Sequence, residues 1–327
     1  MKRRTLWMGA LAMIFAGSVF AQDKSSATVH YVTVDRNVKL EVLDWGGSGR
    51  PVVMLAGLGQ TAHAFDDFVP KLTGTYHVYG VTRRGFGTSS VPETGYSADR
   101  LGDDVLQVID FLKLTRPILV GVSIAGEELS SVGSRHPEKV AGLIYLDAGY
   151  DYAYYDRSRG SLDLDALEVQ RKLQQLQPGK GPADQRPLMH ELLTDSLPQL
   201  EKQLREALKS LEGAPPPPAQ PQPLTPGVFS PAYAILAGEQ KYTKIPVPAL
   251  AIYALPVRLG PEFGTDPAVR AWAQARQLAL AGAQATAFQR GIPSARVVRL
   301  PNAEHNVLRS NEADVLREMK LFISTLK

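Results

Sequence analysis

The chain of 327 residues contains no cysteine. A disulfide framework, a thiolate zinc site, a cysteine nucleophile and a lipid-bearing cysteine are therefore excluded. Net charge is almost absent as well. Lys and Arg number 36 against 33 Asp and Glu, and Lys2, Arg3 and Arg4 account for the whole excess of +3. No basic cluster stands out elsewhere, so the electrostatic footprint of a phosphate-backbone binder is missing and nucleic acid is not an expected partner. Long apolar runs are also lacking. The run over 6–17 holds 12 residues, short of the roughly 20 that a membrane-spanning helix needs.

That run is nevertheless informative. Lys2-Arg3-Arg4 precedes it, and Val19-Phe20-Ala21 follows with small residues where a cleavage site needs them. This is the pattern of a secretory signal peptide over 1–21, cut after Ala21. It predicts a periplasmic or secreted mature chain with no stable membrane insertion.

In the mature chain, alternating residues on either side of Asp35-Arg36-Asn37 predict a β-hairpin over 30–43. Short apolar strands are then expected at 51–56, 77–81, 117–122 and 140–146, separated by helical patterns at 97–112 and 124–135. Buried apolar strands alternating with amphipathic helices predict a mostly parallel sheet with helices on both faces. The alternation stops near Asp151. Helical stretches over 164–176, 187–192 and 197–211 lead into 214–227, where seven prolines stand. Such a segment suits a semi-rigid connector and neither a helix interior nor a central strand. Strand and helix signals resume at 248–253, 267–289, 296–300 and 312–326. The expected organisation is a leader over 1–21, a core over 22–150 and 246–327, and a helical insertion over 151–245.

The strand at 117–122 runs into Gly121-Val122-Ser123-Ile124-Ala125-Gly126 and then a helix. A serine flanked at two residues on each side by a small residue, on a tight strand-to-helix turn, is a nucleophile elbow. The turn exposes the hydroxyl, and the small neighbours Gly121, Ala125 and Gly126 avoid collision. The helix N-terminus favours negative charge developing nearby.

With this elbow the chain resembles the α/β-hydrolase family across nearly all of its mature length. Gly57 after the third strand, Arg84-Gly85-Phe86-Gly87 after the fourth, the elbow after the fifth and His305 after the last fall in the family's order. Ala125 replaces the usual glycine, and Ala56-Gly57 replaces a common His-Gly pair. The resemblance implies an eight-stranded, mostly parallel sheet with a helical lid inserted between strands six and seven.

A serine nucleophile needs a base, and imidazole has the right pKa. His305, in the loop before the last helix, holds the family's position for it. The acid commonly follows strand seven, but Tyr253-Ala254-Leu255-Pro256 offers no carboxylate there. Some subfamilies carry it after strand six, which points to Asp147; Asp266 and Glu262 are the alternatives. By family position the oxyanion donors are the backbone N–H groups of Leu58 and Ile124. Gln60, His63, Tyr150 and Tyr152 are candidates for lining the pocket, with a packing or surface role open for each.

Serine at the elbow argues for acyl transfer to water rather than for the aspartate chemistry of dehalogenases and epoxide hydrolases. The expectation is cleavage of a small-molecule carboxylic ester, thioester, lactone or amide through an acyl-enzyme, with no metal or organic cofactor implied. The fold also hosts C–C hydrolases, perhydrolases, lyases and cofactor-free dioxygenases on the same residue types, and fold alone does not choose among them. A ligand-binding, receptor-like protein is the alternative from a different class.

Overall fold

A computed structural model describes residues 27–212, 229–260 and 263–327. The expected leader, the proline-rich connector and Glu262 lie outside the described residues.

The strands are β1 (Thr28–Asp35), β2 (Val38–Asp44), β3 (Pro51–Leu55), β4 (His77–Val81), β5 (Ile118–Val122), β6 (Gly142–Leu146), β7 (Ala249–Ala254) and β8 (Ala295–Leu300). They form one eight-stranded sheet in the order β1-β2-β4-β3-β5-β6-β7-β8. Only the pairings of β2 with β1 and with β4 are antiparallel; β4 through β8 pair in parallel. The β1–β2 hairpin turns at Asn37, whose φ is +61°, a conformation that Asn tolerates better than most residues. β5, β6 and β7 are buried along their whole length, as a parallel sheet covered on both faces requires.

The helices α1 (Ala98–Phe111), α2 (Ala125–Arg135), α7 (Pro267–Gly291), α8 (Val307–Ser310) and α9 (Glu312–Ser324) accompany the sheet. Ser97 caps α1 by accepting from the Arg100 N–H. Two apolar clusters make the core. One packs β1, β2, α1, α2 and α7 residues, such as Val108, Leu129 and Phe288, against one set of strand side chains. The other packs Phe65, Leu72, Met319 and Phe322 against the alternate set.

Between β6 and β7 lie α3 (Leu162–Gln175), α4 (Arg186–Glu191), α5 (Leu197–Leu211) and α6 (Pro231–Leu236). The short α6 has no counterpart in the expected elements. Its signal is the Ser230-Pro231 pair, in which Ser230 accepts from the Tyr233 N–H and proline occupies the first turn. A cluster of Tyr96, Leu101, Ile124 and Ile235 joins α6 and α1 to the residue after Ser123, with Leu58, Phe86, Tyr152 and Ala234 packed against it. Among the described residues, no helix is long and apolar enough to cross a membrane.

Candidate active site

Strand register places the site. In the parallel pairing of β5 with β6, Val122 stands beside Leu146. Ser123 and Asp147 are the next residues of each strand, so they leave the sheet side by side at its C-terminal edge. Leu55 pairs with Gly121, bringing the loop after β3 to the same edge. This is where open parallel sheets bind ligands, because neighbouring chains diverge there.

Ser123 has φ +54°, and Asp147 has φ +44°. Neither conformation is comfortable for a residue with a Cβ, and each persists because its surroundings hold it. The Ser123 N–H donates to Leu146 O at 3.2 Å, and the Ser123 carbonyl accepts from the Gly126 N–H at 2.9 Å. Gly126 is obligatory in this turn. A Cβ there would lie 2.0 Å from the Ala148 carbonyl oxygen, so α2 and the end of β6 could not approach as they do.

Asp147 is clamped on three sides. Its N–H donates to Ile252 O at 2.7 Å. Its Oδ1 accepts from the Ala254 N–H at 2.9 Å. Its Oδ2 accepts from His305 Nδ1 at 2.6 Å. The same carboxylate thus caps a β7 backbone donor and orients the imidazole. His305 Nε2 lies 2.9 Å from Ser123 Oγ. With Asp147 ionised, the imidazole proton belongs on Nδ1, and Nε2 is free to accept the hydroxyl proton. Burial pulls the His305 imidazole down, but the hydrogen bond and charge of Asp147 outweigh it and hold its pKa above 6.5.

The structure thus brings Ser123, His305 and Asp147 into one chain of hydrogen bonds. Asp266 sits elsewhere, as the N-cap of α7, with Oδ1 accepting from the Ala268 and Val269 N–H groups. His63 turns toward Asp66, with Nδ1 at 3.0 Å from Oδ2. Asp66 also accepts from Trp45 Nε1 at 3.2 Å, so His63 belongs to a part-buried three-residue contact and makes no hydrogen bond to Ser123, His305 or Asp147. Gln60 folds back on the loop after β3, with Oε1 3.0 Å from where a Gly57 Cβ would be; Ser123 Cβ lies 3.6 Å from the same point. The bare Gly57 therefore lets that loop lie against the serine. The Leu58 and Ile124 N–H groups flank this contact, and neither donates to an acceptor among the described residues.

Tyr150 and Tyr152 lie 6.0 Å apart, centroid to centroid, and Tyr150 meets Tyr253 edge-on at 6.0 Å. Burial and the neighbouring Asp147 charge push the Tyr150 phenol well above its ordinary value. It is a neutral hydroxyl facing the acid. Tyr152 packs against both the main core and the cluster around Ile124.

Arg83 has no role in the motif-based expectations, yet it ties the site together. Its Nε and Nη2 donate to the two Glu128 oxygens at 2.6 and 2.7 Å, and Nη2 also donates to Ala56 O at 3.0 Å. One buried guanidinium therefore joins the loop carrying Leu58 to the helix that starts after Ile124. The signal in the sequence is the arginine doublet Arg83-Arg84 after β4. The second arginine forms its own buried bidentate pair with Asp104.

A serine, imidazole and carboxylate in line at the C-terminal edge of a parallel sheet define the class of fold. The profile of the alpha/beta hydrolase fold matches residues 50–311, and the chain belongs to that family. Among relatives, it is 29% identical over 123 residues to the 2-(acetamidomethylene)succinate hydrolase of Mesorhizobium japonicum, covering 38% of this chain and 42% of that protein. It is 28% identical over 187 residues to the 2-hydroxymuconate semialdehyde hydrolase of Pseudomonas sp. strain CF600, covering 51% of this chain and 66% of that one. The chain spans about two-fifths of the length of several such relatives, from 40% to 45%. A crystal structure of E-2-(acetamidomethylene)succinate hydrolase superposes with a TM-score of 0.53 at 21% identity, covering 91% of this chain and all of that one; this likeness is one of fold.

Proposed function

We propose that this chain is an exported serine hydrolase that cleaves a small-molecule carboxylic ester, thioester, lactone or amide. The observation that carries the reading is His305, which bridges Ser123 Oγ at 2.9 Å and Asp147 Oδ2 at 2.6 Å. In the proposed reaction, Ser123 Oγ attacks the substrate carbonyl carbon while Nε2 of His305 takes its proton. The Leu58 and Ile124 N–H groups receive the developing oxyanion. Collapse expels the leaving group with the proton held by His305. Water activated by His305 then splits the acyl-enzyme and regenerates Ser123. The helices between β6 and β7 serve as the lid.

A fluorophosphonate probe tests the nucleophile. The label should map to Ser123 by peptide mass spectrometry and vanish in Ser123→Ala, which should also lower turnover by roughly six orders of magnitude. No label on the folded protein would refute acylation at Ser123. The mass of the chain recovered from a periplasmic extract tests cleavage after Ala21.

Carbon–carbon bond hydrolysis is the second reading. The similarity to the 2-hydroxymuconate semialdehyde hydrolase supports it. Turnover of vinylogous diketones with negligible turnover of simple esters would favour it over the first.

A further inference from the structure

Helix α5 in the insertion between β6 and β7 is built inside out. The residue it buries is polar: Gln203, whose amide donates to Arg159 O at 2.6 Å. Lys202 beside it donates to Ser158 O at 3.0 Å, and Leu200 and Ala207 are half-buried. The other leucines face water. Leu197, Leu204, Leu208 and Leu211 are 38%, 45%, 66% and 48% exposed, and Leu193, one turn earlier, is 68% exposed. At about 100° per residue, the four helix leucines fall within an arc of about 60°. A surface helix ordinarily turns such a stripe toward the core. Single exposed leucines need no explanation, but a continuous apolar stripe marks a contact surface.

The spacing says what kind of surface fits. Leu193, Leu197, Leu200, Leu204, Ala207 and Leu211 recur at intervals of 4, 3, 4, 3 and 4 residues. This 3.5-residue period is the seam of a coiled coil, which takes a second helix of the same period. A lipid surface asks for something else, with aromatic side chains on the apolar face and Lys and Arg dominating the polar one. Helix α5 has no aromatic residue. Its charges cancel, with Lys202, Arg205 and Lys209 against Glu201, Glu206 and the following Glu212.

A second copy of the same helix supplies the match. In an antiparallel pair whose two-fold axis passes Lys202, Leu193 meets the partner's Leu211, Leu197 the partner's Ala207, and Leu200 the partner's Leu204. Every layer is apolar, and symmetry repeats each one, as a self-complementary two-fold contact requires. The charges on the flank complement themselves as well. Glu201 and Arg205 pair along the helix at 2.5 Å, and both are largely exposed. In the antiparallel register each stands within about 3 Å, along the axis, of the opposite charge on the second helix. The pair can therefore exchange between copies.

We propose that the outward face of α5 is a homodimer interface, in which α5 packs antiparallel on the α5 of a second copy. Pairing holds the insertion between β6 and β7 of each copy against that of the other.

Sedimentation velocity on the protein recovered from a periplasmic extract tests the interface. The wild type should shift from one copy to two over about a hundredfold rise in concentration. Leu204→Lys, at an exposed site, should keep the melting temperature and raise the dissociation constant at least about tenfold. Glu201→Lys and Arg205→Glu should each weaken the dimer, and the two together should restore it. The absence of cysteine makes cross-linking a clean second measurement. Mixed Leu193→Cys and Leu211→Cys chains should form an oxidised heterodimer. Neither should link to itself, because like positions lie about 27 Å apart along the axis. A chain that stays single at every concentration overturns the proposal. So does a dimer indifferent to Leu204→Lys and silent in the mixed cross-link. A single chain that adsorbs to phosphatidylcholine vesicles, and loses that with Leu204→Lys, overturns it too and assigns the stripe to a lipid surface.

Discussion

The Ala254 N–H on Asp147 Oδ1 decides what an asparagine would do at that position. The side-chain oxygen of Asp147→Asn would keep that backbone donor, as Oδ1 does at 2.9 Å. Its NH2 would then face His305 Nδ1 and donate to it. The imidazole proton would move to Nε2 and point at Ser123, the wrong tautomer for a base. Turnover should fall by about four orders of magnitude with the thermal stability little changed, as read by ester kinetics and a melting curve. The acidity of His305 gives a second prediction at this scale. Asp147 outweighs burial and raises its pKa above 6.5, and the base works only when neutral. The kcat/KM should therefore rise with pH through an apparent pKa above 6.5. The stability term has the opposite sign. A raised histidine pKa stabilises the fold fully below about 6.5, and that contribution is lost as pH rises through the folded value.

At the scale of elements, the buried pair of Arg83 and Glu128 couples β4 to α2 and to the loop after β3. Arg83→Met would leave Glu128 buried without its cation. The expected loss is about 3–5 kcal/mol in urea unfolding, because removing one partner of a buried pair strands the other charge. Replacing both with apolar residues, in Arg83→Met with Glu128→Leu, should recover most of that loss. Fluorophosphonate labelling should still be slow, since Ala56 O would have lost the guanidinium that fixes the Leu58 loop. Helix α5 shows what periodicity can and cannot say. Leu197, Leu204, Leu208 and Leu211 recur at helical spacing and mark the helix, yet all four are exposed. The position that the helix buries is Gln203, whose amide donates to Arg159 O at 2.6 Å.

Across the whole molecule, acid and base nearly balance, but the interior does not balance locally. Burial and the charges of Asp151 and Asp163, opposed by Arg171, push Glu239 up to about 8. A carboxyl group with a raised folded pKa binds more protons folded than unfolded. Its contribution to stability is therefore full below 4.5 and is lost as pH rises through about 8. Glu239→Gln should remove this slope. The variant should melt with the wild type at acid pH and above it at pH 8, by an amount on the order of a few kcal/mol. Melting curves across that range check it.

Much of this was legible in the residues. Apolar runs and capping signals placed every strand to within about two residues, since buried strands must be apolar and helices must start on a cap. The turn around Ser123 could be read because small residues are compulsory where backbones nearly touch, as at Gly126 and Ala148. The serine, the imidazole and the carboxylate were nameable from their places at strand ends. What they do to one another was not, because Asp147 and His305 are 158 residues apart and a 2.6 Å contact is a product of register. Tertiary structure alone separated Asp147 from Asp266, by turning the latter into a helix cap. It also separated Glu128 from Glu127. Two identical neighbours in the sequence differ only in which face of α2 meets Arg83, and that is fixed by packing between elements distant along the chain.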